Sequence, residues 1–276
     1  MILNNIISKW ENKFLEINKL LDVSFKEYIK DKNVLLIGPS DFLEEKNLKD
    51  FIDSSDIVIR INLGYKLTLD ENNKDYGTKT NVVYLNQKIR YFGNNYQNKI
   101  IEELENKENN EENNEENNKN NKLEYIVLNC CGLPKLIDNY KHENDYTHII
   151  HSDLDKLKKI LNINTNLYMG TQIIIELLAC KPSHLILIGM DFYNNNCCKT
   201  YIENNKIFDE TYKLNENEKN IRIKNHISIN NNFDFNLFAF IYGIKDMLPS
   251  LKNINIVLDS YLNKLIDKNK LVHNNF

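Results

Sequence analysis

Six short apolar runs, at 34–37, 57–61, 82–85, 125–129, 185–188 and 254–258, alternate with stretches of helical pattern at 44–52, 154–161, 170–180 and 235–248. Strands and helices that alternate at this pitch predict the α/β class: a Rossmann-like, mainly parallel sheet with helices on both faces. The ends of several runs are polar. Gly38-Pro39-Ser40 follows the first, Arg60 and Asn62 close the second, Asp75-Tyr76-Gly77-Thr78-Lys79-Thr80 precedes the third and Asn86 follows it. In an open α/β sheet, ligands bind in the crevice outside the carboxyl ends of the strands, so these groups are candidate ligand contacts.

Ahead of this pattern, Leu3, Ile7, Trp10, Phe14, Ile17 and Leu21 recur at spacings of four and three, which predicts an amphipathic N-terminal helix within residues 1–30. It either docks on its own domain or pairs with a second copy to form a homo-oligomer. Three heptads are short for independent pairing. Residues 31–276 form one further domain. Within it, residues 105–122 are dominated by Glu and Asn, so we expect a disordered surface insertion.

The 35 Lys and Arg against 39 Asp and Glu leave a net charge of -4, which gives no electrostatic reason to expect nucleic acid as a partner. No run approaches the ~20 apolar residues of a membrane span, and charges at Lys9, Glu11, Lys13 and Glu16 interrupt any signal peptide. The five cysteines form two vicinal pairs, Cys130-Cys131 and Cys197-Cys198, plus Cys180. That pattern suits free thiols in a reducing compartment, so a soluble, cytoplasmic protein is expected.

Taken singly, the polar candidates leave structural readings open. Gly38-Pro39-Ser40 can be a phosphate turn or a plain one, and neither a G-x-G-x-x-G nor a P-loop string is present. Asn62 can bond a ribose or phosphate, or simply cap a turn. Asp153 and Asp155, near His148 and His151, have the donor types of a divalent-cation site. Ser152 with Asp155 also reads as a capping box for the helix at 154–161, and that reading is preferred, so no metal is assigned. Tyr193 and Tyr201 follow the strand at 185–188, and their hydroxyls can hydrogen-bond a departing phosphate. His226, in Asn225-His226-Ile227-Ser228, has the ordinary pKa of a general base at neutral pH.

The string Ile52-Asp53-Ser54-Ser55-Asp56, Arg60, Asn62, then Asp75, Gly77, Lys79 and Thr80, resembles the large sialylmotif of the animal sialyltransferases, glycosyltransferase family 29. Met169 to Tyr193 resembles the small sialylmotif, and more closely the matching segment of the bacterial family 42 sialyltransferases. The resemblance implies the sialyltransferase variant of the GT-A type fold, in a single domain plus the N-terminal helix. It also implies an inverting, metal-independent enzyme that needs no cofactor, takes a CMP-sugar donor and uses a glycan acceptor. Carried over by residue, Gly38, Ser40, Arg60, Asn62, Asn86, Gly170, Thr171 and Asp191 would bind substrate. Tyr193 and Tyr201 would stabilise the leaving phosphate, and His226 would deprotonate the acceptor. Pro39 stands where the family has an Asn, and Met169 where it has Ser or Thr. The disulfide of the animal enzymes has Cys180 for one partner but Val34 for the other, so it cannot form here. Two further readings are a nucleotide-binding module without catalysis and a CMP-Kdo transferase.

Overall fold

The computed structural model describes residues 2–69, 74–85, 122–130, 148–165, 167–190, 192 and 231–269. In chain order they form α1 (Ile2–Leu20), α2 (Val23–Ile29), β1 (Asn33–Ile37), α3 (Lys49–Asp53), β2 (Ile57–Ile61), β3 (Val82–Leu85), β4 (Tyr125–Cys130), β5 (His148–Asp153), α4 (Leu154–Leu161), α5 (Met169–Cys180), β6 (His184–Ile188), α6 (Asn231–Ile244), β7 (Asn255–Leu258) and α7 (Ser260–Asn269).

The seven strands make one sheet in the order β5-β4-β3-β2-β1-β6-β7, and every neighbouring pair is parallel. The expected sheet is therefore present and, among the described residues, wholly parallel. Alternate residues of β1 feed two cores. Val34 and Leu36 join the larger one, with Phe14, Ile17, Ile173, Leu177 and Phe238; Leu35 and Ile37 join a smaller one, with Leu43, Ile52 and Leu67. Helices accordingly lie on both faces, as the period-two side-chain alternation of a strand requires.

Trp10, Phe14 and Ile17 are buried, and α1 packs on α4 and α5. Polar contacts fix the helix there: Asn18 Nδ2 donates to Ala179 O at 2.6 Å and Lys13 Nζ to Leu161 O at 2.7 Å. The apolar stripe is used within the chain. Asp22, the N-cap of α2, accepts from Phe25 N at 3.0 Å and divides the helix expected within residues 1–30 into two.

Two local expectations need correcting. The helix expected at 44–52 is a 3-10 turn at Asp41–Leu43 followed by the short α3. Glu45 and Asn47 between them take positive φ, and Asp75 claims their amides, at 2.9 and 2.8 Å. Those amides are thereby lost to any helix ladder. The second correction concerns His148 to Asp153, which is a strand in register with β4. Asp153, not Ser152, caps α4: its carboxylate accepts from Lys156 N at 2.9 Å and pairs with Lys156 Nζ at 2.9 Å.

Candidate active site

From β1 the strands run outward through β2, β3 and β4 to β5, and the chain then crosses to β6 on the other side of β1. The strand order reverses between β1 and β6, and the carboxyl ends at such a switch point are where an α/β sheet opens a crevice. Gly38 ends β1 there and Gly189 ends β6. Gly38 N donates to Ile188 O at 2.9 Å, and Gly189, at φ +62°, donates to Asp259 Oδ2 at 2.8 Å. A Cβ on Gly38 would also lie 3.0 Å from Met190 Sδ, and one on Gly170 would lie 2.5 Å from Met190 Cε. The Gly38 turn and the start of α5 thus meet over one methionine side chain. A side chain at Gly38 would strike the Gly189 backbone, whereas one at Gly170 would meet only the end of the Met190 side chain.

Ser40 is buried, and its hydroxyl accepts from Phe42 N at 3.4 Å while its carbonyl accepts from Tyr76 Oη at 2.7 Å. Asn62 sits at the end of β2 with φ +50°, a left-handed conformation that Asn adopts more readily than most residues.

Arg60 is fully buried on β2, and its acceptors belong to the turn before β3. Nε donates to Lys79 O and Thr80 Oγ1, at 3.1 and 2.9 Å, and Nη2 donates to the carbonyls of Tyr76 and Lys79, at 2.7 and 2.9 Å. Burial pulls the guanidinium down to about 9, with Asp53 opposing. Asp53 grips the same turn: Oδ1 accepts from the amides of Thr78 and Lys79, both at 2.9 Å, and Oδ2 from Thr78 Oγ1 at 2.9 Å. Lys79 Nζ donates to Ser55 O at 2.6 Å. Asp53, Arg60, Lys79 and Thr80 are thus spent on tying the 75–80 turn to α3 and β2. A buried backbone turn needs this satisfaction.

At the start of α5, the N-cap Tyr168 provides no side-chain cap. Asp234 reaches across from α6 instead, its Oδ1 accepting from Tyr168 N at 3.0 Å. Asp234 is wholly buried and Thr171 nearly so. Thr171 Oγ1 and Asp234 Oδ2 are the two buried side-chain atoms without a hydrogen-bond partner among the described residues. The hydroxyl sits close enough to lower the carboxyl's pKa but without hydrogen-bond geometry. Burial outweighs it and holds Asp234 up at about 6.

Further along α5, Glu176 is buried beneath β3 and β5. It accepts from Gln172 Nε2 at 2.9 Å, from Tyr84 Oη at 3.3 Å and, in a short contact, from Ser152 Oγ. Burial raises it to about 6 and, together with the glutamate, pushes the Tyr84 phenol well above its ordinary value. Neither acid was singled out from sequence. The available signal was one acid inside an apolar run, Ile175-Glu176-Leu177 and Phe233-Asp234-Phe235.

Gly38, Gly170 and Thr171 are gathered at the switch point, Ser40 follows Gly38 in the same turn, and Arg60 and Asn62 close the neighbouring β2. Asn86, Asp191, Tyr193, Tyr201 and His226 lie outside the described residues. Among the described residues no helix is long and apolar enough to cross a membrane.

No family model and no curated protein matches the chain. Among solved structures it is similar to a variant of the sialyltransferase CST-II in complex with CMP, at 20% identity and TM-score 0.45, over 84% of this chain and 88% of that one. A second is the monofunctional alpha-2,3-sialyltransferase Cst-I from Campylobacter jejuni, at 17% identity and TM-score 0.36, over 67% and 74%. A third is CST-II with a trisaccharide acceptor and CMP, at 19% identity and TM-score 0.34, over 65% and 77%.

Proposed function

We propose that the chain is a sialyltransferase-like glycosyltransferase that moves sialic acid, or a related acid sugar, from a CMP-activated donor to a glycan hydroxyl with inversion. The observation that carries the reading is the meeting of the Gly38 turn and the start of α5 at the β1/β6 switch point. The exposed amides of a helix start favour an anion, and the crevice between two diverging strands suits a nucleotide.

In this reading Gly38, Ser40, Asn62, Asn86, Gly170, Thr171 and Asp191 line the donor site, and Arg60 serves it by holding the turn that flanks β2. His226 takes the proton of the acceptor hydroxyl. The acceptor oxygen then bonds to the anomeric carbon, and the bond from that carbon to the phosphate oxygen of CMP breaks. CMP leaves with the electron pair, its charge met by the hydroxyls of Tyr193 and Tyr201. Fixed donors of this kind stabilise developing charge without reorganisation, and no metal is invoked.

The deciding experiment is CMP release from CMP-sialic acid and from CMP-Kdo, with and without EDTA, for the wild type and His226→Ala. Release with one donor, undiminished by EDTA and reduced at least a hundredfold by His226→Ala, supports the reading. Release that EDTA abolishes overturns its metal-free form. A second reading, a nucleotide-binding module without catalysis, is favoured by Met190, whose side chain lies between Gly38 and Gly170, and by Pro39 in the turn. CMP binding with no release from any donor would favour it.

A further inference from the structure

The start of α5 holds a contradiction. It is the place in the fold best suited to an anion, yet a carboxylate is already there, with Asp234 Oδ1 on the Tyr168 amide. The second oxygen of that carboxylate has no partner, and neither has the Thr171 hydroxyl, one turn inside α5. Two orphaned polar atoms in a dry location are costly, and native proteins rarely keep them without a use.

We propose that Asp234 is the proton-linked positioning residue of an anion site at the start of α5: a phosphate-bearing ligand drawn to that helix start binds together with one proton from solvent, taken up on Asp234 Oδ2. The inference rests on the placement of the donor phosphate at Gly170 and Thr171 given above. Two negative charges cannot share one helix start cheaply, and neutralising the carboxyl removes the repulsion. Without any ligand, burial already holds the carboxyl at about 6, within reach of neutral pH. The groups facing it are the Tyr168 amide and the Thr171 hydroxyl from α5; no charged side chain of the described residues shifts it. Glu176, the other acid of α5, has its own partners in Tyr84, Ser152 and Gln172.

The test is calorimetric titration of the full chain with CMP and, separately, with inorganic pyrophosphate, in two buffers of different ionisation enthalpy at pH 7.5. The ligand phosphate titrates near pH 6 itself, so the quantity read is the difference between the wild type and Asp234→Asn. The expected result is uptake of close to one proton by the wild type and close to none by the variant. The affinity of the wild type should fall up to about tenfold per pH unit above 7 relative to the variant. Binding without proton uptake in the wild type, or with uptake that Asp234→Asn leaves unchanged, overturns the proposal while the nucleotide reading stands. Proton-linked binding of pyrophosphate with no binding of CMP overturns the nucleotide reading alone. Failure of both ligands to bind overturns both.

Discussion

Gly38 and Gly189 end neighbouring strands so closely that a Cβ on either would strike the other's carbonyl oxygen, at 2.1 Å from Gly38 and 2.6 Å from Gly189. Backbone cannot yield as a side chain can. Gly38→Ala is therefore expected to cost at least about 3 kcal/mol, toward the upper end of overpacking penalties. Gly170→Ala meets only the mobile end of Met190 and should cost about 1 kcal/mol, with Met190→Ala relieving most of it. Urea midpoints read both. An unchanged midpoint for Gly38→Ala would show that the two strand ends part without penalty.

Arg60 holds the 76–80 turn through backbone carbonyls, a task that needs a planar fork. Arg60→Lys and Arg60→Met should each destabilise by about 3–5 kcal/mol, the range for breaking a buried charged network. Asp53→Asn loosens the same turn, so the double variant should cost clearly less than the sum of the singles. Strict additivity in a double-mutant cycle would separate the two grips.

Glu176 makes stability depend on pH in a direction opposite to that of a salt-bridged acid. Its folded pKa, about 6, stands above the ordinary 4.5. The stability it contributes is fully present below 4.5 and is lost as pH rises through 6, a decline of order 2 kcal/mol by pH 7. In Glu176→Gln the carbonyl can still accept from Ser152 and Gln172 while the amide donates to Tyr84. The variant should match the wild type at pH 4 and exceed it at pH 8, by thermal or urea unfolding. A variant less stable at pH 8 would mean that the charged form is the one the fold prefers.

Trp10 is buried under α6, its ring 5.2 Å from that of Phe240, and Lys13 lies over it at 4.3 Å. Trp10→Ala should cost about 3–5 kcal/mol. Because the stripe is buried within the chain, gel filtration should give the same elution volume for the wild type from 1 to 100 µM, on the order of a hundredfold range over which a weak dimer of micromolar affinity would shift. A concentration-dependent shift would show that a different face of the molecule pairs.

The strands were readable because runs such as Val34 to Ile37 and Leu185 to Ile188 are apolar throughout, and burial on both faces leaves that mark on sequence. The stretch from Glu44 was misread because its helix formers are overruled by Asp75, thirty residues away, which no local pattern reveals. The strand from His148 to Asp153 was missed for a similar reason. His148, at its edge, stacks on Tyr125, and Ser152 is drawn inward to Glu176, so its polar residues read as a helix cap, or less well as a cation site, rather than as a strand. In the string from Asp53 to Thr80, Asp53, Arg60, Lys79 and Thr80 hold the chain's own backbone, and in sequence polar residues at strand ends look alike whether they bind a ligand or their own backbone. Asp234 and Glu176 could not be seen as special without the fold. An acid becomes unusual only when water is gone.

The place of α1 has a consequence for how the chain is made. Its seat is built from α4 and α5, and β1, in the middle of the sheet, finds its β6 partner only at residues 184–188. During synthesis the first helix leaves the ribosome with Trp10, Phe14 and Ile17 unburied; α4 and α5 must follow before its seat exists, and Trp10 waits longer still, for Phe240 on α6. Strands β1 to β4 can zip up in the order they emerge, but closing β1 against β6 carries the entropy of a long loop. Until that closure the nascent chain carries an exposed aromatic face, the kind of surface that chaperones hold and that aggregation exploits. The contact that joins the two halves of the crevice therefore forms only after most of the chain has been made, and a chain stalled before residue 188 has no crevice at all.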